Sequence, residues 1–294
     1  MTPHYIISLA SEGVRLQYLA MERSLRAVGC DLEIKVIPFN SQLFELPKGS
    51  TWWADLKMQD WIKSSGSKPV MVKYQCLKAS HYAYFDADIC FLRNPLDIIS
   101  GIDGGMIVAD TDWNKPQWTY TPESQEILQR KSSTWLKNVF NTGHFACDQA
   151  LYTHEELVST CIKYHQTCLD YPYHEQPGIN LLVGLKDIPV INLTLPPYNM
   201  ESTWVGDYYY PDYQKLWTAE TKPYFLHWAG PCYSWNRPPN EIFFEYLTRD
   251  ERREWEEREI ENAIRIEEAY LKSLPWWRAM FRRVRKNINL NSHR

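Results

Sequence analysis

Segment 82–96 constrains the fold more than any other part of this 294-residue chain. An apolar, aromatic-rich run reaches Asp86 and Asp88, resumes after them, and stops at Asn94 and Pro95. Such a run between turn residues predicts a buried strand. A carboxylate at the end of a buried strand is costly to desolvate without a positive partner, and Mg²⁺ or Mn²⁺ is a suitable one. We therefore expect a divalent cation here, although an isolated Asp-x-Asp tripeptide more often forms a solvated acidic turn.

The amino-terminal part of the chain predicts a parallel α/β sheet. Residues 4–10 form an apolar run, residues 14–28 place apolar side chains at helical spacing, and residues 32–38 alternate between apolar and polar. Strand, helix and strand in this order indicate a βαβ unit. Short apolar runs at 104–110 and 188–193 predict further strands.

The end of the first predicted strand marks one wall of a binding site. Ligands of open α/β sheets bind beyond the carboxyl ends of the strands, which here are Ser8, Leu9 and Ala10. No glycine-rich loop follows this strand. A dinucleotide-binding or P-loop site is therefore disfavoured.

Charge and cysteine content exclude some classes of protein. The net charge of −4 gives no general case for nucleic-acid binding. The seven cysteines are odd in number and scattered, which is typical of reduced thiols in a cytoplasmic protein. The sequence has neither a signal-peptide pattern at its start nor an apolar run long enough to span a bilayer. We expect a cytoplasmic protein that does not bind nucleic acid.

Segment 82–96 resembles the Asp-x-Asp segment of GT-A glycosyltransferases, in particular the glycogenin-like and galactosyltransferase-like enzymes of glycosyltransferase family 8. The resemblance implies an α/β fold with a mixed central sheet flanked by helices. It also implies a nucleotide-diphosphate sugar as donor, most often a UDP-sugar whose base lies at the first strand end. Asp86 and Asp88 are implied to hold Mn²⁺ or Mg²⁺, and Asp86 and Ala87 to contact the donor.

Two further segments resemble donor-binding parts of this family. Lys68 precedes a proline upstream of the Asp-x-Asp strand, and the resemblance implies that it meets the diphosphate, although a solvated lysine fits the sequence equally well. Asn141 and Gly143 resemble an Asn-x-Gly strand start. The glycine would permit close backbone approach to a ligand, and the asparagine amide both donates and accepts hydrogen bonds.

Segment 175–180 is the second specific match. Its acidic residue, glutamine and later asparagine are Glu175, Gln176 and Asn180, with glutamate where the family more often has aspartate. The resemblance implies that Glu175 and Gln176 lie beside the anomeric carbon as catalytic residues. A polar helix start is the alternative, because an acidic residue stabilises a helix amino terminus.

The third specific match lies near residue 227. His227 stands where the family places a third metal ligand, and Gly230 where the backbone approaches the diphosphate. Imidazole suits Mn²⁺ better than Mg²⁺. Taken alone, a histidine at the end of an apolar run is more often a hydrogen-bonded core residue.

Two aromatic segments carry alternative interpretations. Residues 52–61 predict a helix whose tryptophans pack in the core, although a sugar platform is possible. Residues 111–135 place tryptophans among polar residues and prolines, which suits either an acceptor-binding loop or a packed surface loop.

The last part of the chain differs from the rest. We expect a catalytic domain over residues 1–240 and a helical extension over 241–294. Charges of both signs alternate from residue 249, which predicts a solvated helix. Residues 270–286 combine aromatic and basic side chains without an acidic one, as an interfacial helix on an anionic membrane does. A helix docked on the catalytic domain is the alternative.

The ordered motifs predict a metal-dependent glycosyltransferase, a hexosyl- or pentosyltransferase of polysaccharide biosynthesis. It would move a sugar from a nucleotide-diphosphate donor to a glycan or glycolipid hydroxyl, with retention of configuration, and the resemblance implies a UDP-sugar as the donor. The alternatives are a non-catalytic nucleotide-sugar or glycan-binding protein on the same fold, an inverting glycosyltransferase, and a nucleotidyltransferase that releases pyrophosphate.

Overall fold

The chain divides into two units, Met1–Tyr246 and Leu247–Arg294. The structure is a computed structural model and describes residues 1–131, 133, 135–136, 138–170, 174–208, 213, 215–218, 221–229 and 238–273. Within them, the first unit is an α/β assembly and the second contains one long helix.

The secondary structure alternates between strands and helices through most of the first unit. The strands are β1 (Tyr5–Leu9), β2 (Ile34–Ile37), β3 (Ser50–Trp52), β4 (Tyr82–Phe85), β5 (Ile89–Phe91), β6 (Met106–Val108), β7 (His144–Cys147), β8 (Val190–Asn192) and β9 (Phe225–His227). The α-helices are α1 (Arg15–Ala27), α2 (Leu56–Ser64), α3 (Pro95–Ile99), α4 (Pro122–Lys131), α5 (His154–Lys163), α6 (His165–Cys168), α7 (Gln176–Leu185), α8 (Lys215–Thr218), α9 (Asn240–Glu245) and α10 (Arg249–Ser273).

The described strands form a seven-stranded mixed sheet in the order β3-β2-β1-β4-β7-β6-β8. β1 is parallel to both β2 and β4, whereas β7 runs antiparallel to β4 and β6. The predicted βαβ unit is β1, α1 and β2, with Ile6 opposite Ile34. The mixed central sheet predicted from the family resemblance is therefore confirmed.

The two central strands are buried on both faces. Ile7 of β1 and Tyr84 of β4 belong to one apolar cluster, and Ile6 and Phe85 belong to another. Successive side chains of a strand point to opposite faces, so these clusters cover the two sides of the sheet. This burial explains why both strands are almost continuously apolar in the sequence.

The apolar run around Asp86 and Asp88 forms two strands. β4 ends at Phe85 in the central sheet, and the chain turns before β5 pairs antiparallel with β9 in a separate two-stranded sheet. In that pairing Ile89 lies opposite His227. The turn between the two sheets therefore carries both aspartates and brings them beside the histidine.

Segment 52–61 is only partly helical, and the prediction of one helix over it is wrong. Trp52 ends β3, which pairs parallel with β2, and α2 begins at Leu56. The Asp55 carboxylate accepts a hydrogen bond from the backbone N–H of Met58, so a capping residue separates the two elements. Pairing with the sheet edge decided the conformation of Trp52, which local pattern alone did not reveal.

The aromatic segment 111–135 contains both core and exposed residues. Trp113 stacks on Phe140, and Trp135 is buried edge-on against Tyr120. Trp118, by contrast, is 68 % exposed. Trp113 and Trp135 therefore pack against other rings, whereas Trp118 is the most exposed of these three tryptophans.

The described part of the second unit is the 25-residue helix α10. Its charged side chains pair at helical spacing, as Arg252 does with Glu256, and Ile260 and Ile264 are exposed. This agrees with the predicted solvated, charge-paired helix. The predicted interfacial segment 270–286 lies outside the described residues from residue 274 onward. Among the helices that the structure describes, none has the length and apolarity needed to cross a membrane.

Candidate active site

A cavity of about 360 Å³ opens at the carboxyl ends of β1 and β4. Leu9, Asp86, Ala87 and Asp88 are among the residues that line it. Ser8 is fully buried, and its hydroxyl has no hydrogen-bond partner among the described residues. Leu9 of the predicted nucleotide wall and the Asp-x-Asp turn thus share one cavity, because parallel strands end at the same edge of a sheet.

The backbone of the neighbouring strands positions this wall. Ala10 is buried, and its N–H donates to the carbonyl of Ile37 at the end of β2 (3.0 Å). Among the three residues predicted at this strand end, Leu9 lines the cavity, whereas Ser8 and Ala10 are not among its lining residues.

Asp86, Asp88 and His227 bring three candidate metal-ligating atoms within 4.8 Å of one another. His227 Nε2 lies 3.2 Å from Asp88 Oδ1. The backbone fixes this arrangement, because the His227 N–H donates to Thr203 and the Trp228 N–H donates to the carbonyl of Asp88. Oxygen and imidazole nitrogen donors of this kind suit a divalent cation such as Mn²⁺.

The environment of Asp88 fits a cation. Asp88 Oδ1 is buried, and no described residue donates a hydrogen bond to it. Burial alone would raise the pKa of Asp88, but the adjacent His227 more than compensates and lowers it. Burial alone would lower the pKa of His227, and Asp88 and Asp86 raise it instead. A buried carboxylate oxygen without a donor is costly, so these residues would hold a cation readily.

Gly143 is required by the histidine. A Cβ atom at this position would lie 2.2 Å from Cε1 of His227, so no other residue fits while the imidazole stays in place. The carbonyl of Gly143 accepts the N–H of Asp86 (2.8 Å). The sequence suggested close approach to a ligand, and the structure shows close approach to a side chain of the candidate metal site.

Asn141 shapes the turn that carries Gly143. Its side-chain Oδ1 accepts the Gly143 N–H (2.8 Å), and its own N–H donates to Asp110 Oδ2 (2.7 Å). Burial raises the pKa of Asp110. In this structure the asparagine amide oxygen stabilises the turn, and contact of Asn141 with a donor stays a prediction.

Lys73 is a site residue that the sequence interpretation missed. It is 1 % exposed, and its Nζ donates to Asp86 Oδ1 (2.9 Å) and to Glu175 Oε1 (2.6 Å). The ammonium also lies 4.5 Å from the centre of the Tyr84 ring. Lys73 therefore links the Asp-x-Asp turn to the predicted catalytic segment.

The overlooked signal was a lone cation inside an apolar run. Lys73 belongs to the 3-10 helix Pro69–Lys78, in which the residues from 71 to 77 are all buried. A lysine is almost never fully buried without an ionic partner, so this position called for one. The predicted donor lysine, Lys68, is exposed and stands at the amino terminus of the same helix.

The carboxylates around Lys73 differ in their electrostatics. Burial would raise the pKa of Glu175, but Lys73 outweighs it and holds that pKa below the usual value. Burial raises the pKa of Asp86, which Lys73 opposes and the charge of Asp88 reinforces. Three carboxylates and one lysine leave the cluster with a formal charge of −2 when His227 is neutral. That excess is the charge that one divalent cation neutralises.

The start of α7 holds the other predicted catalytic residue. Gln176 Oε1 accepts the Thr142 N–H (3.1 Å), and Gln176 Nε2 donates to the Thr119 hydroxyl (3.3 Å). Asn180 lies one turn further on and is fully buried, with its amide paired to both backbone groups of Phe140 (2.7 and 2.8 Å). Asn180 therefore anchors the 140–143 turn, whereas Glu175 and Gln176 lie at its edge. Gly230 lies outside the described residues.

Comparison with known proteins gave matches among solved structures only. No protein-family model matches the chain, and a search of curated proteins gave no match. The bifunctional glycosyltransferase WbbM, in its apo structure, aligns with a TM-score of 0.54 at 11 % identity, over 84 % of this chain and 50 % of that one.

A second solved structure aligns over almost its full length. The galactosyltransferase LgtC, in complex with donor and acceptor sugar analogs, aligns with a TM-score of 0.52 at 14 % identity, over 84 % of this chain and 98 % of that one. At such identities the likeness concerns the fold. The mixed sheet and its flanking helices therefore give this chain the GT-A glycosyltransferase fold, as the sequence motifs predicted.

Proposed function

We propose that this protein is a metal-dependent glycosyltransferase. It transfers a sugar from a nucleotide-diphosphate donor, a UDP-sugar, to a hydroxyl of a glycan or glycolipid acceptor, with retention of configuration. Residues 1–240 carry the catalytic site, and residues 241–294 form the helical extension. One observation carries the proposal: Asp88 and His227 hold their ligand atoms 3.2 Å apart beside a cavity at the carboxyl edge of a GT-A sheet.

The donor occupies the cavity lined by Leu9 and the Asp-x-Asp turn. Asp86, Asp88 and His227 would hold Mn²⁺, or Mg²⁺, which would supply positive charge to the leaving diphosphate. Ser8, Leu9 and Ala10 would form the wall for the base, and Asp86 would hold the metal or the donor ribose. Ala87, Asn141, Gly143 and Gly230 would contact the rest of the donor. Lys68 reaches the diphosphate from the exposed end of its helix.

Glu175 and Gln176 act beside the anomeric carbon. Lys73 keeps Glu175 ionised, so its carboxylate stabilises positive charge that develops on the sugar. Gln176 is held by Thr142 and Thr119, which orients its amide toward the reacting groups. Lys73 acts through Glu175 and Asp86 and is a positioning residue.

The environment of Glu175 favours retention over inversion. An inverting mechanism in which Glu175 is the base needs a carboxylate whose pKa is near the operating pH. Burial would move the pKa of Glu175 in that direction, but the ion pair with Lys73 moves it the opposite way. A strongly paired carboxylate is a poor proton acceptor and a good electrostatic stabiliser.

The proposals for the acceptor and for the cellular location rest on the composition of residues 270–286. A lipid-linked acceptor suits an enzyme that rests on the cytoplasmic face of a membrane through residues 270–286. The basic and aromatic composition of that segment supports this part of the proposal.

The test is release of nucleoside diphosphate from UDP-, GDP- and TDP-sugars, with Mn²⁺ and with EDTA. We expect slow release from one donor. EDTA and Asp88→Ala should each reduce this release at least about 100-fold. Removing a residue that only supports a metal ligand costs up to about 100-fold, and loss of a ligand should cost at least as much. Asp103→Ala removes an exposed carboxylate of the same type and should change nothing.

Calorimetric titration of UDP separates the alternatives. Mn²⁺-dependent UDP binding without release from any donor, even with acceptor mixtures, would support the binding-protein alternative. Pyrophosphate release would indicate a nucleotidyltransferase. Absence of both release and UDP binding would show that the metal-site interpretation of Asp88 and His227 is wrong.

A further inference from the structure

We propose that Trp204 is the stacking platform for the acceptor sugar, an inference that rests on the proposed transferase function. The ligand class is a hexopyranoside, whose axial C–H groups form an apolar face that fits the face of an indole ring. The placement of this tryptophan, its rigidity and its polar surroundings each support the assignment.

Trp204 lies beside the candidate metal site. It forms a parallel β-bridge with His227, and the preceding residue, Thr203, accepts the N–H of His227 (2.7 Å). Bridged residues on neighbouring strands project to the same side and lie about 5 Å apart. Since the imidazole of His227 points to Asp88, the indole of Trp204 leaves the backbone on the side of the metal site.

Gly206 supports one face of the indole. A Cβ atom at Gly206 would lie 2.3 Å from Cη2 of Trp204 and 2.4 Å from Cζ2 and Cζ3. Nearly equal distances to three consecutive atoms of the six-membered ring put this position over the ring face rather than at its edge. Gly206 is buried, so its backbone packs flat against the ring and no larger residue fits there.

The backbone of Trp204 is also held on both sides. Its N–H donates to the Ser202 hydroxyl (3.1 Å), and its carbonyl accepts the Asp207 N–H (3.1 Å). Even so, Trp204 is 39 % exposed, whereas Trp228, the residue after His227, is fully buried. A ring with one covered face, a fixed backbone and an exposed remainder is preorganised for stacking, because little conformational entropy is lost on binding.

Polar groups for sugar hydroxyls lie close to the backbone of Trp204. The two residues that hold its backbone, Ser202 and Asp207, also line a cavity of about 310 Å³ together with Thr111 and Glu201. Hydroxyl and carboxylate groups can donate to and accept from sugar hydroxyls. An apolar platform beside such groups is the combination that a pyranose needs, since it has one apolar face and a polar rim.

The test measures saccharide binding without turnover. Methyl hexopyranosides and lactose are titrated by saturation-transfer NMR into protein that holds UDP and Mn²⁺. We expect the wild type to bind at least one of them. Trp204→Ala should bind it at least about tenfold more weakly, the effect of about 1.4 kcal/mol. Trp204→Phe should retain most of the affinity, and Trp204→Leu should lose it while keeping apolar volume.

Trp217→Ala serves as the matched control. Trp217 is 50 % exposed, its ring lies edge-on to Tyr213, and its removal should leave saccharide binding unchanged. Equal affinity in the wild type and in both Trp204→Ala and Trp204→Leu would overturn the proposal, as would a wild type that binds none of the saccharides. Saccharide binding lost with Trp204, in a protein that never releases nucleotide, would support the platform and contradict only the transfer reaction.

Discussion

The ionic site has two halves that differ in how their charges are satisfied. In the lysine half, Lys73 donates to both Asp86 and Glu175 and is sealed from solvent. In the metal half, Asp88 and His227 face each other, and Asp88 Oδ1 accepts no hydrogen bond from the described residues. The lysine half is complete within the protein, whereas the metal half is arranged to be completed by a cation.

This difference separates charge that is already paired in the folded protein from charge that a cation would complete, and Asp86 belongs to both. A buried ion pair rarely stabilises a protein more than apolar residues of the same size, but removing one partner is strongly destabilising. The lysine half should therefore control folding. The metal half should control ligand response, because Asp88 and His227 have only each other as ion-pair partners among the described residues and gain a cation when metal binds.

The largest effect is expected from Lys73→Met, which leaves the buried Glu175 and the half-buried Asp86 without their cation. The free energy of unfolding should fall by about 3–5 kcal/mol, measured by urea denaturation without metal. Lys78→Met is the control, because it breaks the ion pair between Lys78 and Asp55. These two side chains are 18 % and 22 % exposed, and the free energy of unfolding should fall by about 1 kcal/mol. Equal losses in the two variants would show that the lysine half is no different from a partly exposed ion pair.

The next effect concerns the metal half. At a Mn²⁺ concentration of 100 times its Kd, the wild type should gain about 2.7 kcal/mol in free energy of unfolding. Asp88→Asn should abolish this gain while changing the metal-free stability far less than Lys73→Met does. Asp103→Asn, on an exposed carboxylate, should keep the full gain. A Mn²⁺ response that survives in Asp88→Asn would remove the distinction between the halves.

The smallest effect is the pH dependence of the free energy of unfolding that arises from His144, which is buried in the core. His144 stacks on Phe85, and burial lowers its pKa to about 3, against a smaller opposing effect of its bond to the Tyr84 carbonyl. The unfolded chain, with a histidine pKa near 6.5, binds this proton more tightly, so acidification from pH 7 to pH 5 should cost the folded state about 2 kcal/mol.

His144→Gln should remove that share of the pH dependence. The measurement compares urea unfolding of wild type and variant at pH 5 and pH 7, so that the other histidines cancel in the difference. An unchanged pH dependence in the variant would mean that His144 is not held neutral in the folded protein, and that the acid response arises from the site itself.

Much of the fold could be predicted because its signals are local. The apolar runs of β1 and β4 and the helical spacing of α1 each lie within a few residues, and periodicity reports them directly. The helix break before Leu56 could not be predicted in this way. Trp52 is a strand residue because β2 offers it an edge to pair with, which is a contact between distant parts of the chain.

The residues of the candidate site also differ in whether the sequence could predict them. Asp86, Asp88 and His227 were predicted from ordered motifs, and the structure brings them together. Lys73 was missed because its partner Glu175 is 102 residues away, and the neighbouring Lys68 matched a family pattern. Gly143 was predicted for close approach, but only the packed structure shows that the group it admits is the imidazole of His227.

The sequence by itself determined that the chain is an α/β protein, because hydrophobic periodicity depends on neighbouring residues. The family resemblance of segment 82–96 identified the acidic turn. Only the tertiary structure decided which cation balances which carboxylate, and which tryptophan is fixed with an exposed ring beside the metal site. Those outcomes depend on pairing across the sheets, as Lys73 with Glu175 and Trp204 with His227, and sequence spacing carries no record of such pairs.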